Sequence, residues 1–332
     1  VRQTFSEKDI NPYLPDSSLA KIREEMKGYH YGKMFIPPRK QSIIELPGLD
    51  GGGEWGGPAY DPETHILYVN ANEMAWLMTM RDNIPAKPAK ENYLQAGTRL
   101  FQQHCVSCHG ADRKGTGNFP SLVNINAKYK PEEAMGLLKT GRRMMPSFNH
   151  LDEEERKAIL SYIMDLKPEQ TQNFTAIPKA SDAYRNLPYS VTGYYKFLSP
   201  EKYPVLAPPW GTLTAINLQT GEQVWKNVLG GYQYPEMKAK GAPPTGTENY
   251  GGPVVTAGGL VFIAAASDGM FRAFNKYTGK LLWEYALPSP GFATPAVYTV
   301  NDRQYVVIAC GGGKLGTRSG DSYIAFALPA GN

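Results

Sequence analysis

The sequence predicts a mainly β chain of repeated short-stranded sheets, interrupted once by a small all-α segment. Three observations carry this. Glycine (34) and proline (27) are abundant and charged residues make up 20% of the 332 positions, which suits a turn-rich β protein. The pattern Ala215-x-Asn217-x-x-Thr220-Gly221-x-x-x-Trp225 returns 58 residues later as Ala273-x-Asn275-x-x-Thr278-Gly279-x-x-x-Trp283. Helical periodicity is concentrated near residues 92–168.

Each copy of the repeat reads strand, Thr-Gly turn, strand, with the Trp docking on a neighbouring sheet. A second element recurs too. Gly56-Gly57-Pro58 followed by Ile66–Asn70 parallels Gly251-Gly252-Pro253 followed by Leu260–Ile263, and Thr294-Pro295 followed by Gln304–Ile308. Short strands returning every roughly 40–60 residues are the mark of a β-propeller, one four-stranded blade per repeat. Aligned, the repeats give one blade with strands near 55–60, 66–71, 211–218 and 223–229, and a complete blade near 252–286. A last blade has strands near 294–299, 303–309 and 323–328 and no fourth. The helical segment thus interrupts a blade between its second and third strands. The expected division is propeller 1–82, a Pro-rich linker 83–91, the helical domain 92–168, a return connection 169–205 and propeller blades 206–332. About three blades are countable where a ring needs about four, so the chain is expected to be a fragment or subunit completed by further sequence or another chain.

Within the helical segment, Asn92–His104 carries Leu94, Gly97, Leu100 and Phe101 at helical spacing. Asp152-Glu-Glu-Glu155 reads as a capping box ahead of a stripe of Ile159, Tyr162, Ile163 and Leu166. Between them stands Cys105-Val-Ser-Cys108-His109, the attachment pattern of a c-type haem. Two thiols on one turn can each add across a vinyl group of one porphyrin, and the next imidazole reaches the iron. A zinc knuckle or redox dithiol would need more cysteines or a thioredoxin-like context. A second ligand stands in Gly141-Arg-Arg-Met144-Met145-Pro146, where two thioethers compete with each other and with a role as core filler. Resemblance to class I cytochromes c favours Met145, which directly precedes a proline. Cys310, in Tyr305–Cys310, reads as a buried inert thiol.

The net charge of +4 leaves no nucleic-acid footprint, and no run of about 18 apolar residues marks a membrane span. Covalent haem attachment implies a periplasmic or otherwise exported protein, yet residues 1–30 contain no signal peptide, a first hint of a longer chain.

Further motifs are Gly48-Leu-Asp-Gly-Gly-Gly-Glu54-Trp55-Gly-Gly, Tyr68-Val-Asn-Ala-Asn72-Glu-Met, Pro209-Trp210-Gly211, Thr247-Glu-Asn249-Tyr250-Gly-Gly-Pro and Gly311-Gly-Gly-Lys314-Leu315-Gly. Together with the Trp repeat they resemble the quinoprotein dehydrogenases that use pyrroloquinoline quinone (PQQ), in their glucose-dehydrogenase-like branch. That resemblance implies an eight-bladed propeller with PQQ and a calcium ion near its axis, oxidising an aldose or alcohol. It also implies PQQ contacts at Asn72, Gly313, Lys314 and Leu315, with Asn249 and Tyr250 in a loop on the same face. The plainer alternatives are a turn-capping Asn72, a solvated Lys314, and blade packing for Asn249 and Trp55. The family's catalytic Asp, its calcium ligands and the base on the quinone oxygens match nothing here. Asp61, Asp268, Asp302, His65, His104 and His150 are poor substitutes, so no catalytic residue is assigned and this chain alone is expected to be inactive. The expected activity of the whole is oxidation by PQQ, with electrons leaving through the haem to an external acceptor such as a cytochrome. The insertion after Asn72 would place the haem on the cofactor face, and Lys128, Lys139, Arg142 and Arg143 could steer an acidic partner. The rival reading is a non-enzymatic haem-bearing propeller that relays electrons or binds a partner.

Overall fold

The computed structural model describes residues 2–82, 90–116, 119–175, 187–232 and 234–328. Most of the predicted linker and the middle of the return connection lie outside these residues. The chain separates into two compact units, one of Val1–Ile36, Ile44–Trp76 and Lys196–Asn332, the other of Pro37–Ile43 and Leu77–Tyr195.

The larger unit is built from antiparallel sheets. Blade A orders Ala59–Asp61, Ile66–Asn72, Gly211–Asn217 and Gln223–Val228 side by side. Its central pair runs in unbroken register from Asn72 opposite Gly211 to Ile66 opposite Asn217. The chain therefore leaves the sheet after Asn72 and rejoins it at Gly211. Blade B orders Val254–Val255, Leu260–Ile263, Met270–Asn275 and Leu281–Ala286. Blade C has Ala296–Val300, Arg303–Gly312 and Ser319–Phe326. Its last strand begins at Ser319 rather than near 323, because the register steps past an irregularity between Cys310 and Gly312 and pairs Gly312 with Ser319. The first strand of blade A likewise begins only at Ala59; Trp55 stands outside it and is 84% exposed.

Period-two burial joins the blades. Tyr68, Leu213, Ala215 and Trp225 of blade A close on Val261, Ile263 and Phe274 of blade B. Ala264 and Phe271 of blade B close on Val306, Ile308 and Cys310 of blade C. Cys310 is fully buried, and burial raises its thiol pKa. The Trp repeat is an inter-blade joint: Trp225 Nε1 and Tyr68 OH both donate to the Lys276 carbonyl, at 3.1 and 3.0 Å. Gly279 lies in the left-handed region (φ +70°), and a Cβ there would meet the Trp225 indole at 2.7 Å. The Thr-Gly turn thus serves both its own hairpin and the preceding blade's Trp. Trp283 keeps 39% of its surface and meets Phe326 edge-on at 5.3 Å. Beneath the joint, fully buried Lys276 places Nζ 2.9 Å from Asp61 Oδ2, a hydrogen bond that raises the ammonium pKa.

One helix of this unit, Asp16–Met26, has no counterpart in the sequence reading. Ser18, Ile22 and Met26, four apart, face inward. Ser18 Oγ donates to Glu201, at the end of the return connection, at 2.6 Å.

The smaller unit is helical. Helix Tyr93–His104 starts at a reciprocal cap, in which Asn92 Oδ1 accepts from the Gln95 amide at 2.9 Å and Gln95 Oε1 from the Asn92 amide at 3.0 Å. Helix Glu153–Ile163 starts the same way on Asp152 and Glu155. The two cross where Gly97 meets Ala158; a Cβ on Gly97 would lie 2.1 Å from the Ala158 carbonyl oxygen. Ala96, Leu100, Phe101, Ala158, Ile159 and Ile163 form the core of this crossing. Leu94 departs from the expected stripe and is 38% exposed. The first turn makes its contact through Tyr93 instead, which packs edge-on against Phe174 at 5.5 Å and donates to Glu154.

The crossing supplies a paired test. Gly97→Ala should destabilise the helical unit by about 1–3 kcal/mol. Gly136→Ala, in helix Pro131–Thr140 with open space around the added methyl, should stabilise it by about 0.5–1 kcal/mol. Denaturant unfolding of both variants reads the difference; equal effects would contradict the close crossing.

Candidate cofactor sites

In the smaller unit the long helix ends at Cys105, and the chain turns directly into Val106–His109. The Cys108 and His109 amides donate to the Cys105 carbonyl at 3.2 and 2.9 Å, so one turn carries both thiols and the imidazole. Both cysteines are free. Burial, with a smaller contribution from Cys108, pushes the Cys105 thiol up to about 12, and burial raises Cys108 as well. Both are uncharged thiols at neutral pH.

His109 is buried, with Nδ1 2.9 Å from the Pro120 carbonyl oxygen. A carbonyl only accepts, so Nδ1 carries the proton and Nε2 keeps its lone pair, the tautomer a metal ligand needs. Burial lowers the imidazole pKa against the opposing pull of the Pro120 bond, and the ring stays neutral. The following loop is knitted to this turn. The Gly115 amide donates to the His109 carbonyl at 2.9 Å, and Thr116 donates to the Cys108 carbonyl through its amide (3.0 Å) and hydroxyl (2.8 Å).

The two methionines separate. Arg142 and Met145 exchange backbone hydrogen bonds of 2.9 and 3.0 Å across a tight turn. That turn leaves Met144 62% exposed and packs Met145 against the buried cluster that contains Cys105, Val106 and Phe148. Two thiols, a neutral imidazole nitrogen and a soft thioether are the donor set of a covalently held haem, and these residues fit that group.

In the larger unit the glycine-rich segment 48–57 runs along strand Ile66–Asn72. The Glu54 amide donates to the Asn70 carbonyl at 3.3 Å and the Asn72 amide to the Gly52 carbonyl at 2.9 Å. This docks Glu54 on Asn72. Asn72 is fully buried and every amide atom is engaged. Its Nδ2 donates to Glu54 Oε1 and to the Asn249 carbonyl; its Oδ1 accepts from the Asn249 backbone and side chain at 2.8 and 2.9 Å. Asn249, equally buried, also accepts from Asn70 at 2.7 Å. The pair is an amide lattice between blades A and B: Asn249 packs the blades, as its plainer alternative has it, and the Asn72 amide bonds across the blades rather than capping a turn.

Tyr250 is buried and donates its hydroxyl to Asp50 Oδ1 at 3.1 Å. Its ring carries the Lys314 ammonium 3.8 Å from the centroid, and Trp55 offers a second face at 5.4 Å. Gly313 is exposed, and half-buried Leu315 takes a left-handed φ of +54°. The loop therefore brings Lys314 to Tyr250, beside three carboxyls that sequence reasoning did not single out: Asp50, Glu54 and Glu248. Glu248 pairs with Lys196. Burial raises the Glu248 pKa against the pull of Lys196. Burial, then the charge of Asp50, pushes Glu54 up to about 8, opposed by Lys314 and the Asn72 hydrogen bond. Glu54 Oε2 and Asp50 Oδ2 are buried with no hydrogen-bond partner. The available signal was the presence of acids inside a glycine-rich run, where backbone close to strand Ile66–Asn72 forces side chains inward.

The rejected acids are structurally committed: Asp61 pairs with Lys276 and Asp268 with Arg272. Among the described residues no group of three or more His, Cys, Asp or Glu side chains could hold a metal ion. An aromatic-clamped ammonium does fit an anionic quinone carrying carboxylates.

A sequence profile for the β-propeller domain of glucose/ethanol/alcohol dehydrogenases that use PQQ matches residues 1–119 and 129–306. The chain belongs to the PQQ-dependent dehydrogenase propeller family. A second profile, for subunit III of cbb3-type cytochrome c oxidase, matches residues 92–163, the helical part of the excursion from blade A. Among curated relatives, the quinoprotein glucose dehydrogenase of Gluconobacter oxydans (strain 621H) is 39% identical over 90% of this chain and 29% of its own length. That of Escherichia coli (strain K12) is 29% identical over 90% of this chain and 28% of its own. The chain thus spans less than a third of either relative. Among solved structures, quinohemoprotein alcohol dehydrogenase from Comamonas testosteroni aligns with a TM-score of 0.41 and 14% identity, over 86% of this chain and 28% of that one.

Glu54 gives a pH-dependent stability. In the unfolded chain a Glu ionises above its ordinary value of 4.5, whereas folded Glu54 keeps its proton until about 8. Its contribution is therefore fully present below the unfolded value and is lost as pH rises towards 8. Glu54→Gln should match the parent's unfolding free energy at pH 4 and exceed it by on the order of 1–3 kcal/mol at pH 8. An equal difference at both pH values in chemical denaturation would contradict the assignment.

Proposed function

We propose that this chain is the haem-bearing portion of a quinohaemoprotein dehydrogenase that oxidises an aldose or another alcohol and delivers electrons to an external acceptor such as a cytochrome. The observation that carries the reading is the Cys105–His109 turn, its imidazole oriented by Pro120, inside an excursion from a blade of a PQQ-family propeller. When bound, the quinone supplies two-electron oxidation of a carbinol carbon and the haem supplies one-electron exchange.

The chain's own residues bind and orient. Cys105 and Cys108 would hold the porphyrin through thioether bonds, and His109 Nε2 and the Met145 thioether would ligate its iron. His/Met ligation raises the potential of such a centre, which suits an electron carrier. In the larger unit Lys314, flanked by Gly313 and Leu315, would meet a quinone carboxylate, and Tyr250 and Trp55 hold the ammonium in place. Asn72 and Asn249 contribute by fixing blade A against blade B. The catalytic base and any calcium ligands come from other parts of the propeller, in the same protein or another chain. Exposed Lys128, Lys139, Arg142 and Arg143 offer a basic rim to an acidic acceptor. Covalent haem attachment supports a periplasmic or otherwise exported location.

The test is aldose-dependent haem reduction in the assembled propeller supplied with PQQ and calcium, read at the haem α band. Reduction on adding aldose is expected. Intact haem with no aldose-dependent reduction would overturn the reading in favour of a non-enzymatic relay. The axial assignment has its own signature. Met145→Ala should keep the covalent haem, lose the thioether-to-iron charge-transfer band and lower the reduction potential; Met144→Ala should change none of these.

A further inference from the structure

We propose that Glu54 and Lys314 form a proton-coupled anion site, in which a proton on Glu54 leaves the Lys314 ammonium free for a carboxylate of the quinone. The inference rests on the assignment of Lys314 above and adds a condition for its use.

The geometry supplies the argument. Glu54 is 6% exposed; one oxygen accepts from Asn72 and the other has no partner. The Asp50 carboxyl also has a buried oxygen, and this carboxyl lies within hydrogen-bonding reach of the Glu248 carboxyl. An ionised carboxylate buried with an orphaned oxygen is costly, and a proton on it removes most of that cost. A metal ion would be the other remedy, but among the described residues no group of three or more His, Cys, Asp or Glu side chains could hold one.

The groups facing Glu54 come from four directions. Asp50 lies on its own glycine-rich segment, Asn72 at the strand end, Glu248 and Tyr250 on the connection into blade B, and Lys314 on the loop of blade C. Two of the charges already have protein partners: Glu248 is paired with Lys196, and Asp50 accepts the Tyr250 hydroxyl. Lys314 is held by the Tyr250 and Trp55 faces rather than by a carboxylate, and its field reaches Glu54. An ionised Glu54 would compensate that ammonium from within and add a third negative charge against an incoming anion. A protonated Glu54 does neither. Anion binding and proton binding at Glu54 are therefore linked, each favouring the other. The raised Glu54 pKa, about 8, sets the changeover just above neutral pH.

Two measurements on the assembled propeller test the proposal. Infrared difference spectra between pH 6 and pH 9 should show a protonated-carboxyl C=O band that is lost near pH 8 and is missing in Glu54→Gln. PQQ binding, followed by absorbance, should weaken by up to about tenfold per pH unit above that changeover, with proton uptake on binding in weakly buffered solution. Glu54→Gln should flatten this pH dependence, and Lys314→Met should weaken binding at every pH. A missing carboxyl band at pH 7 overturns the proposal, as does PQQ binding that is independent of pH. A normal carboxyl band with no PQQ binding at any pH overturns the Lys314 assignment and the coupling with it, and leaves the proton on Glu54 standing.

Discussion

The pairing of Ile66–Asn72 with Gly211–Asn217 is the constraint on which the rest depends. Seven consecutive residue pairs close a sheet across an excursion that runs from residue 73 to residue 210. Closing so long a loop costs little more than closing a shorter one, because the entropic term grows only logarithmically with length. What must be kept is the register. A slip by one residue would turn Tyr68, Leu213 and Ala215 out of the inter-blade core. It would also carry Asn72 away from Glu54 and Asn249. The amide lattice at the end of the pair and the Trp225 joint at the other side pin that register from both ends.

The same strand end ties architecture to chemistry. Asn72 consumes its hydrogen-bonding capacity inside the protein, and in doing so presents Glu54 to the cluster of Asp50, Glu248, Tyr250 and Lys314. In the helical unit the logic is similar. A close crossing at Gly97 and Ala158 sets the long helix, the helix end sets the Cys105–His109 turn, and Pro120 sets the imidazole tautomer. Each candidate site side chain is thus held by a backbone arrangement that is itself fixed by packing or by a cap.

Much of this was legible from spacing. The Trp repeats located blades A and B, the capping box at Asp152 marks a helix start, and the spacing of Cys105, Cys108 and His109 predicted one turn carrying both thiols and the imidazole. Leu94 shows where periodicity misleads, since the first turn of a helix is chosen by what its partner reaches, here Tyr93. Helix Asp16–Met26 escaped notice because only Ser18, Ile22 and Met26 point inward, a weak stripe beside charged neighbours. The carboxyl cluster left only a faint signal, acids inside a glycine-rich run. Asp50, Glu54 and Glu248 look like ordinary surface acids until the glycine-rich segment is laid along its strand and the connection into blade B is brought beside it. Resemblance alone favours Met145 over Met144, and the Arg142–Met145 turn supplies a physical reason by packing Met145 and exposing Met144.

The most direct test of the central claim is the intact mass of this chain, expressed in a host competent in covalent haem attachment and measured under denaturing conditions. The account predicts a mass increment of one haem that survives denaturation, is retained in Cys310→Ser and is lost when Cys105 and Cys108 are both replaced by Ala. An unmodified mass from such a host, or a haem that dissociates on denaturation, would contradict it.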